Sequence, residues 1–176
     1  MIQIFTAFIF LVMLNTNMIF DFNKLCDISN WNIVDDVVMG GRSAGNFELN
    51  ANGSGVFKGS VSIANNGGFS SVRYRFKSKE VSAYHKFVIH VKGDGKQYQF
   101  RVKSNSNDFY SYVAYFETSK DWQIVEIPFS DLYPTFRGRK LDQSNFKGDK
   151  IEEIGFLFGN KKAEDFNLEI DKIELK

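Results

Sequence analysis

A single cysteine, Cys26, stands in 176 residues, so the chain holds no internal disulfide framework and no thiolate zinc site. Alone, Cys26 reads as a small buried or half-buried residue. Histidine is almost as scarce: His85 and His90 stand five apart with no cysteine or carboxylate at ligand spacing. A phosphate-binding loop and a His-Glu-x-x-His motif are both missing. Gly93-Asp94-Gly95 makes a turn, not a dinucleotide fingerprint. Charge of one sign is lacking too, with 22 Lys and Arg against 21 Asp and Glu for a net +1. No basic cluster dominates a segment, which argues against nucleic acid as the main partner, because neutralising phosphates needs a basic face. Helical periodicity is absent after residue 18. No cofactor and no metal are expected.

What is abundant is aromatic: 19 Phe and seven Tyr, residues suited to a pleated, half-buried surface. Period-two alternation recurs from Ile19 onward. Ile19–Phe22 opens the series, and Phe47 and Leu49 follow. Then come Val56–Ile63, Val72 to Phe76, Phe87 to Val91 and Tyr98 to Val102. Tyr110–Phe116, Trp122–Ile127, Ile154–Phe158 and Phe166–Ile170 complete it, with Ile173–Leu175 continuing the last. About ten short strands at this spacing predict an all-β antiparallel sandwich, with the Ile19 and Phe166 strands as neighbours. Ser130–Tyr133 is expected to form one helical turn, and Pro134–Lys150 to be a long irregular loop of the functional or mobile kind.

The N-terminal residues differ. Ile2 to Leu14 is apolar except for Gln3 and Thr6, too short to span a membrane and suited to the apolar region of a signal peptide. No Lys or Arg precedes it and no small-x-small cleavage pattern follows. The organisation predicted is a signal peptide or N-terminal extension over 1–17, then one domain over 18–176 with no transmembrane span. Export is preferred, against a cytoplasmic protein whose translation starts at Met18. The lack of arginine speaks against a mitochondrial presequence.

One segment carries more chemistry than any other, Trp31-Asn-Ile-Val-Asp35-Asp36-Val-Val-Met39-Gly40-Gly41-Arg42-Ser43-Ala-Gly45. An apolar strand does not need the acids, and a solvated loop does not need Val37, Val38 and Met39. The two glycines permit positive φ or close backbone approach. It reads as a loop that holds polar groups against a sheet edge.

This segment resembles the hallmark of the complex I intermediate-associated protein 30 family. Collinear segments agree: Phe57-Lys58-Gly59, Asn65-Asn66-Gly67-Gly68-Phe69-Ser70-Ser71-Val72-Arg73, Lys92-Gly93-Asp94-Gly95-Lys96 with Tyr98, Trp122 with Ile127-Pro128-Phe129, Arg137-Gly138, and Ile154-Gly155-Phe156. The resemblance implies a jelly-roll sandwich of the galactose-binding type. It also implies a chaperone-like assembly role in its mitochondrial members, without catalysis.

The candidate binding or clasp residues are Asp35, Asp36, Arg42, Ser43, Asn66, Arg73, Asp94 and Arg137. Adjacent strand carboxylates point to opposite faces, a poor fit for the flanking pair of a glycosidase. The same acids fit calcium, which takes oxygen ligands from irregular loops, or an anchor for the backbone of the Met39–Ser43 turn. Arg42 and Arg73, each beside a glycine-rich turn, are expected to bridge to Asp35 or Asp36 if those loops meet. Exposed, Arg42 instead suits an anionic or hydroxyl-rich ligand. Asn65 and Asn66 serve a turn or sugar hydroxyls. Tyr98, Tyr110, Tyr112, Tyr115 and Trp122 are core or a stacking platform. The reading preferred is a non-enzymatic sandwich with a protein partner. The alternatives are a carbohydrate-binding module using the loops of Arg42, Asn66 and Arg137, and a hydrolase built on Asp35 and Asp36.

Overall fold

In the computed structural model residues 17–176 are described; the expected signal peptide lies almost wholly outside them. The strands run β1 (Met18–Asp21), β2 (Trp31–Asp35), β3 (Ala44–Leu49), β4 (Gly55–Val61), β5 (Ser70–Glu80), β6 (Lys86–Lys92), β7 (Gln97–Lys103), β8 (Ser111–Glu117), β9 (Gln123–Pro128), β10 (Tyr133–Phe136), β11 (Arg139–Lys140), β12 (Lys150–Phe158) and β13 (Glu164–Leu175). They form two antiparallel sheets. One has the order β3-β4-β13-β6-β9 with β1 also on β13; the other is β11-β10-β8-β7-β12-β5-β2. The first and last strands are neighbours, as expected of the chain ends in such a sandwich, with Phe20 opposite Ile173. Among the described residues no helix is long and apolar enough to cross a membrane.

Two stretches read as loops contain strands. Trp31–Asp35 is β2, the edge of the seven-stranded sheet, paired from Trp31↔Tyr74 to Asp35↔Ser70. Its acids hide it, because they end the strand and serve neighbours rather than solvent. Pro134–Lys150 is the second: it holds the end of β10 and all of β11. Strands this short carry too few residues to show a period. The helical turn expected at Ser130–Tyr133 lies at Phe129–Asp131, starting one residue earlier.

The inward residues interdigitate as aromatic pairs. Phe57, Phe87, Phe100, Phe156 and Phe158 are fully buried, with Phe100 and Phe156 centroids 5.5 Å apart and Phe158 and Phe166 stacked at 4.8 Å. A second cluster seals the end near β2, where Trp31 stacks on Tyr74 at 4.9 Å and on Phe47 at 5.1 Å. Offset and edge contacts at these separations add about 0.5–1.5 kcal/mol each beyond burial. Phe156→Ala leaves a cavity between the sheets. It should cost about 3–5 kcal/mol in urea unfolding, whereas Phe109→Ala, at a position 64% exposed, should cost under about 1 kcal/mol.

Candidate functional site

At the end of β2 the chain turns through a 3₁₀ segment, Asp36–Met39, closed by Gly40 at φ 89°. Gly40 N–H donates to Val37 O (2.9 Å) and Gly41 N–H to Asp36 O (3.0 Å). This folds the Asp36 side chain inward until none of it is exposed. Its Oδ1 accepts the Ser43 N–H at 2.9 Å. Its Oδ2 accepts the Ser43 hydroxyl at 2.5 Å, the Gly68 N–H at 2.6 Å and the Phe69 N–H at 3.3 Å. Ser43 Oγ in turn accepts the Ser62 N–H at 3.0 Å. Two glycines are demanded by this crowding. A Cβ on Gly41 would lie 2.2 Å from Asp36 Oδ1, and one on Gly67 2.5 Å from Oδ2.

Burial by itself would raise the Asp36 carboxyl. The Ser43 hydroxyl and the Gly68, Ser43 and Phe69 amides outweigh it and hold the group below the ordinary carboxylate value. Asp35 reaches the same neighbour by another route, its Oδ2 accepting the Gly45 N–H at 3.0 Å. Its Oδ1 is buried without a hydrogen-bond partner, as is Ser70 Oγ. Asp35 at the end of edge strand β2 and Asp36 directly after it therefore hold residues 43–45 at the start of β3, the edge of the opposite sheet.

The expected arginine bridge does not form. Among the described residues neither Arg42 nor Arg73 makes an ion pair with Asp35 or Asp36. Arg42 is exposed on the turn. Arg73 lies opposite Asn32 and Gly155 in the sheet, and the alternation that turns Val72 into the core turns Arg73 out of it. The backbone amides and Ser43 do the work assigned to arginine.

The other candidates scatter. Asn66 is exposed at φ 59°, while its neighbour Asn65 donates from Nδ2 to Gly40 O at 3.1 Å. Asp94 is a fastener: Oδ1 accepts the Tyr98 hydroxyl (3.1 Å), and Oδ2 accepts the Asn167 N–H (3.1 Å) and Lys96 Nζ (3.0 Å). Burial first, then Asp94, pushes the Tyr98 phenol well above its ordinary value. Arg137 occupies the β10–β11 turn at φ 49°, 5.3 Å over the Phe136 ring. Of the aromatics, Tyr98 and Tyr112 are core, and Tyr110 meets Tyr112 through hydroxyls 3.4 Å apart. Tyr115 is 50% exposed in β8 of the seven-stranded sheet, whereas Trp122 is 41% exposed in the turn before β9 of the other sheet, so the two do not share a sheet face.

Two features have no counterpart in the expectations. The turn held by Asp36 leaves Val37, Val38 and Met39 60%, 76% and 52% exposed. On the outer face of the seven-stranded sheet, Arg73, Arg75, Arg101 and Lys103 gather around one acid, Glu153. Their alternation along β5 and β7 is visible in sequence, but which strands neighbour each other is not.

Residues 20–170 match the family described as complex I intermediate-associated protein 30. The chain is 31% identical over 186 residues to "Complex I intermediate-associated protein 30, mitochondrial" of Drosophila melanogaster, covering 92% of this chain and 63% of that protein. To the Mus musculus protein of the same name it is 27% identical over 185 residues, covering 92% and 56%. It thus spans less than two thirds of those relatives. Among solved structures, the family 11 carbohydrate-binding module of a cellulosomal cellulase of Clostridium thermocellum superposes with a TM-score of 0.65 at 18% identity. That match covers 91% of this chain and 93% of the module. The shared fold is the jelly-roll β-sandwich.

Asp36→Asn replaces an acceptor with an amide that faces N–H donors, and should cost about 3 kcal/mol, since each stranded buried donor costs about 1–3. The folded-state carboxyl titrates below its unfolded value. Its stabilisation is therefore present above the unfolded pKa, about 3.9, and is lost as pH falls through the folded one. Urea midpoints between about pH 6 and about pH 3 should fall less steeply for Asp36→Asn than for the parent. Equal slopes would remove Asp36 from the acid response.

Proposed function

Since the chain belongs to the complex I intermediate-associated protein 30 family, we propose that it is a non-enzymatic β-sandwich that holds another protein during assembly of a complex I-type respiratory enzyme, with the Val37–Met39 turn as a docking element. The carrying observation is the pairing of a buried, fully engaged carboxylate with three consecutive exposed apolar side chains directly after it. Exposed apolar residues scattered singly are ordinary; a contiguous group held by a buried charge is the pattern of a contact surface. Ile63, 56% exposed, opens the adjacent turn, which Asn65 ties to Gly40.

The hydrolase alternative loses its residues. A catalytic carboxylate must reach the proton it moves, and Asp36 is walled off with both oxygens accepting backbone amides. Asp35 spends one oxygen on Gly45 and buries the other. The carbohydrate alternative rests on a fold likeness at 18% identity, which speaks for architecture and not for a ligand. The mitochondrial relatives favour a compartment holding complex I over export.

Affinity capture from detergent-solubilised respiratory membranes of the cell that makes the protein tests this. The tagged chain should enrich complex I subunits. Val38→Asp and Met39→Asp should cut the yield about tenfold while leaving stability within about 0.5 kcal/mol, as surface changes do. Capture of no complex I subunit would refute the assembly role, and undiminished capture by both variants would refute the turn as the docking element.

A further inference from the structure

The outer face of the seven-stranded sheet repeats one arrangement in two rows, and the second row lacks its centre. In the first row Lys103 of β7 lies opposite Glu153 of β12, and Glu153 opposite Arg75 of β5. The acid sits between two cations, and Arg75 Nε donates to Glu153 Oε2 at 2.6 Å. Two residues along, Arg101 of β7 lies opposite Gly155 of β12, and Gly155 opposite Arg73 of β5. The cations recur but no acid stands between them. Gly155 cannot supply one, because a Cβ there would meet Val72 O at 2.6 Å.

The second row is electrostatically unfinished. β7 and β5 are two strand spacings apart, about 9.6 Å, a gap that two inclined guanidinium groups span with one carboxylate between them. Arg101 donates to Gln99 Oε1 at 2.9 Å, and no hydrogen bond from Arg73 to an acid is present among the described residues. Arg101 carries five donors. Burial first, then the charge of Arg73, pulls the Arg101 guanidinium down to about 10. Burial also lowers Arg73, with Glu153 opposing it. Both remain cationic at neutral pH and half-buried, on the same sheet face as the buried residues Val113, Gly155 and Leu157. Aromatic and amide groups stand beside them. Tyr133 and Arg101 flank Val113, and Gln99 Nε2 donates to the Tyr115 hydroxyl at 3.1 Å.

We propose that the Arg101–Gly155–Arg73 notch receives a carboxylate from an acidic side chain of the protein partner, in the place that Glu153 takes one pleat along. This rests on the protein-binding reading above and names a second contact for it, about 10 Å along β5 from the clasp. Glu153 shows that the sheet accepts a glutamate side chain between two such cations. Arginine and tyrosine together are the composition of interface hot spots, and a planar fork matches a carboxylate in two-point contact.

Nuclear magnetic resonance of arginine side chains in the full chain, titrated with an acetylated, amidated Gly-Glu-Gly-Glu-Gly peptide, tests the notch. The Nε–H signals of Arg73 and Arg101 should move ahead of all others, and the response should weaken as salt rises from about 0.05 M to about 0.3 M. Arg101→Gln and Arg73→Gln should each reduce the response about tenfold yet melt at or above the parent temperature, because each relieves a repulsion. No movement at either arginine overturns the site, as does a lowered melting temperature with unchanged binding in both variants. An arginine-dependent response to phosphate or polygalacturonate with none to the peptide overturns the protein occupant. The capture experiment separates the two proposals: undiminished yield of complex I subunits from both arginine variants overturns the notch and leaves the assembly role standing. Failure of capture by the parent chain overturns both, whatever the peptide does.

Discussion

Everything distinctive about this sandwich hangs on how two neighbouring sheet edges, β2 and β3, are fastened together, and that is the work of two adjacent carboxylates. Edge strand β2 of one sheet and edge strand β3 of the other are not hydrogen-bonded to each other as strands. Asp36 gathers amides from the start of β3 and from the segment entering β5, and Asp35 takes the Gly45 amide of β3 itself. An unpaired strand edge invites pairing with another chain. Here one free donor of the β3 edge, the Gly45 N–H, is taken by the Asp35 side chain instead. A buried carboxylate costs several kcal/mol in desolvation unless it is fully hydrogen-bonded, so the donors and the glycines that admit them are a single requirement.

The same closure fixes what the surface offers. Once Asp36 points inward, the next three side chains of a 3₁₀ turn have no core left to enter, and Val37, Val38 and Met39 face solvent. The Arg notch arises from a different constraint: the Val72 carbonyl of the paired strand β5 lies too close to β12 for a side chain at Gly155. In both places a packing demand leaves groups at the surface with no counterpart of their own kind inside the molecule: apolar side chains without a core, and two arginines without an acid between them. Together they give the sandwich an apolar knob and a cationic recess on neighbouring parts of one sheet.

Much of this was legible in the chain. Ten of the strands follow from period-two alternation because one face of each is buried and the other wet, so side-chain polarity tracks the pleat. Gly40 and Gly41 announced a positive φ or a close approach, and each has one of them. β2 was hidden because its terminal acids serve the opposite sheet and break the alternation. β10 and β11 were hidden by brevity and by Pro134, which occupies a position opposite Tyr112 where its missing N–H is tolerated. The arginine bridge misread a parity: Arg73 is one residue from an inward position, and one residue moves a side chain to the other face.

The sequence by itself determined the fold class, the loop that marks the family and the residues able to clasp it, because local alternation, glycine spacing and residue chemistry are properties of neighbours along the chain. Only the tertiary structure decided which donors reach Asp36, that Arg42 and Arg73 do not, and that Arg101 and Arg73 flank an empty glycine. Those outcomes depend on strand order and register, which join residues tens of positions apart and leave no local trace.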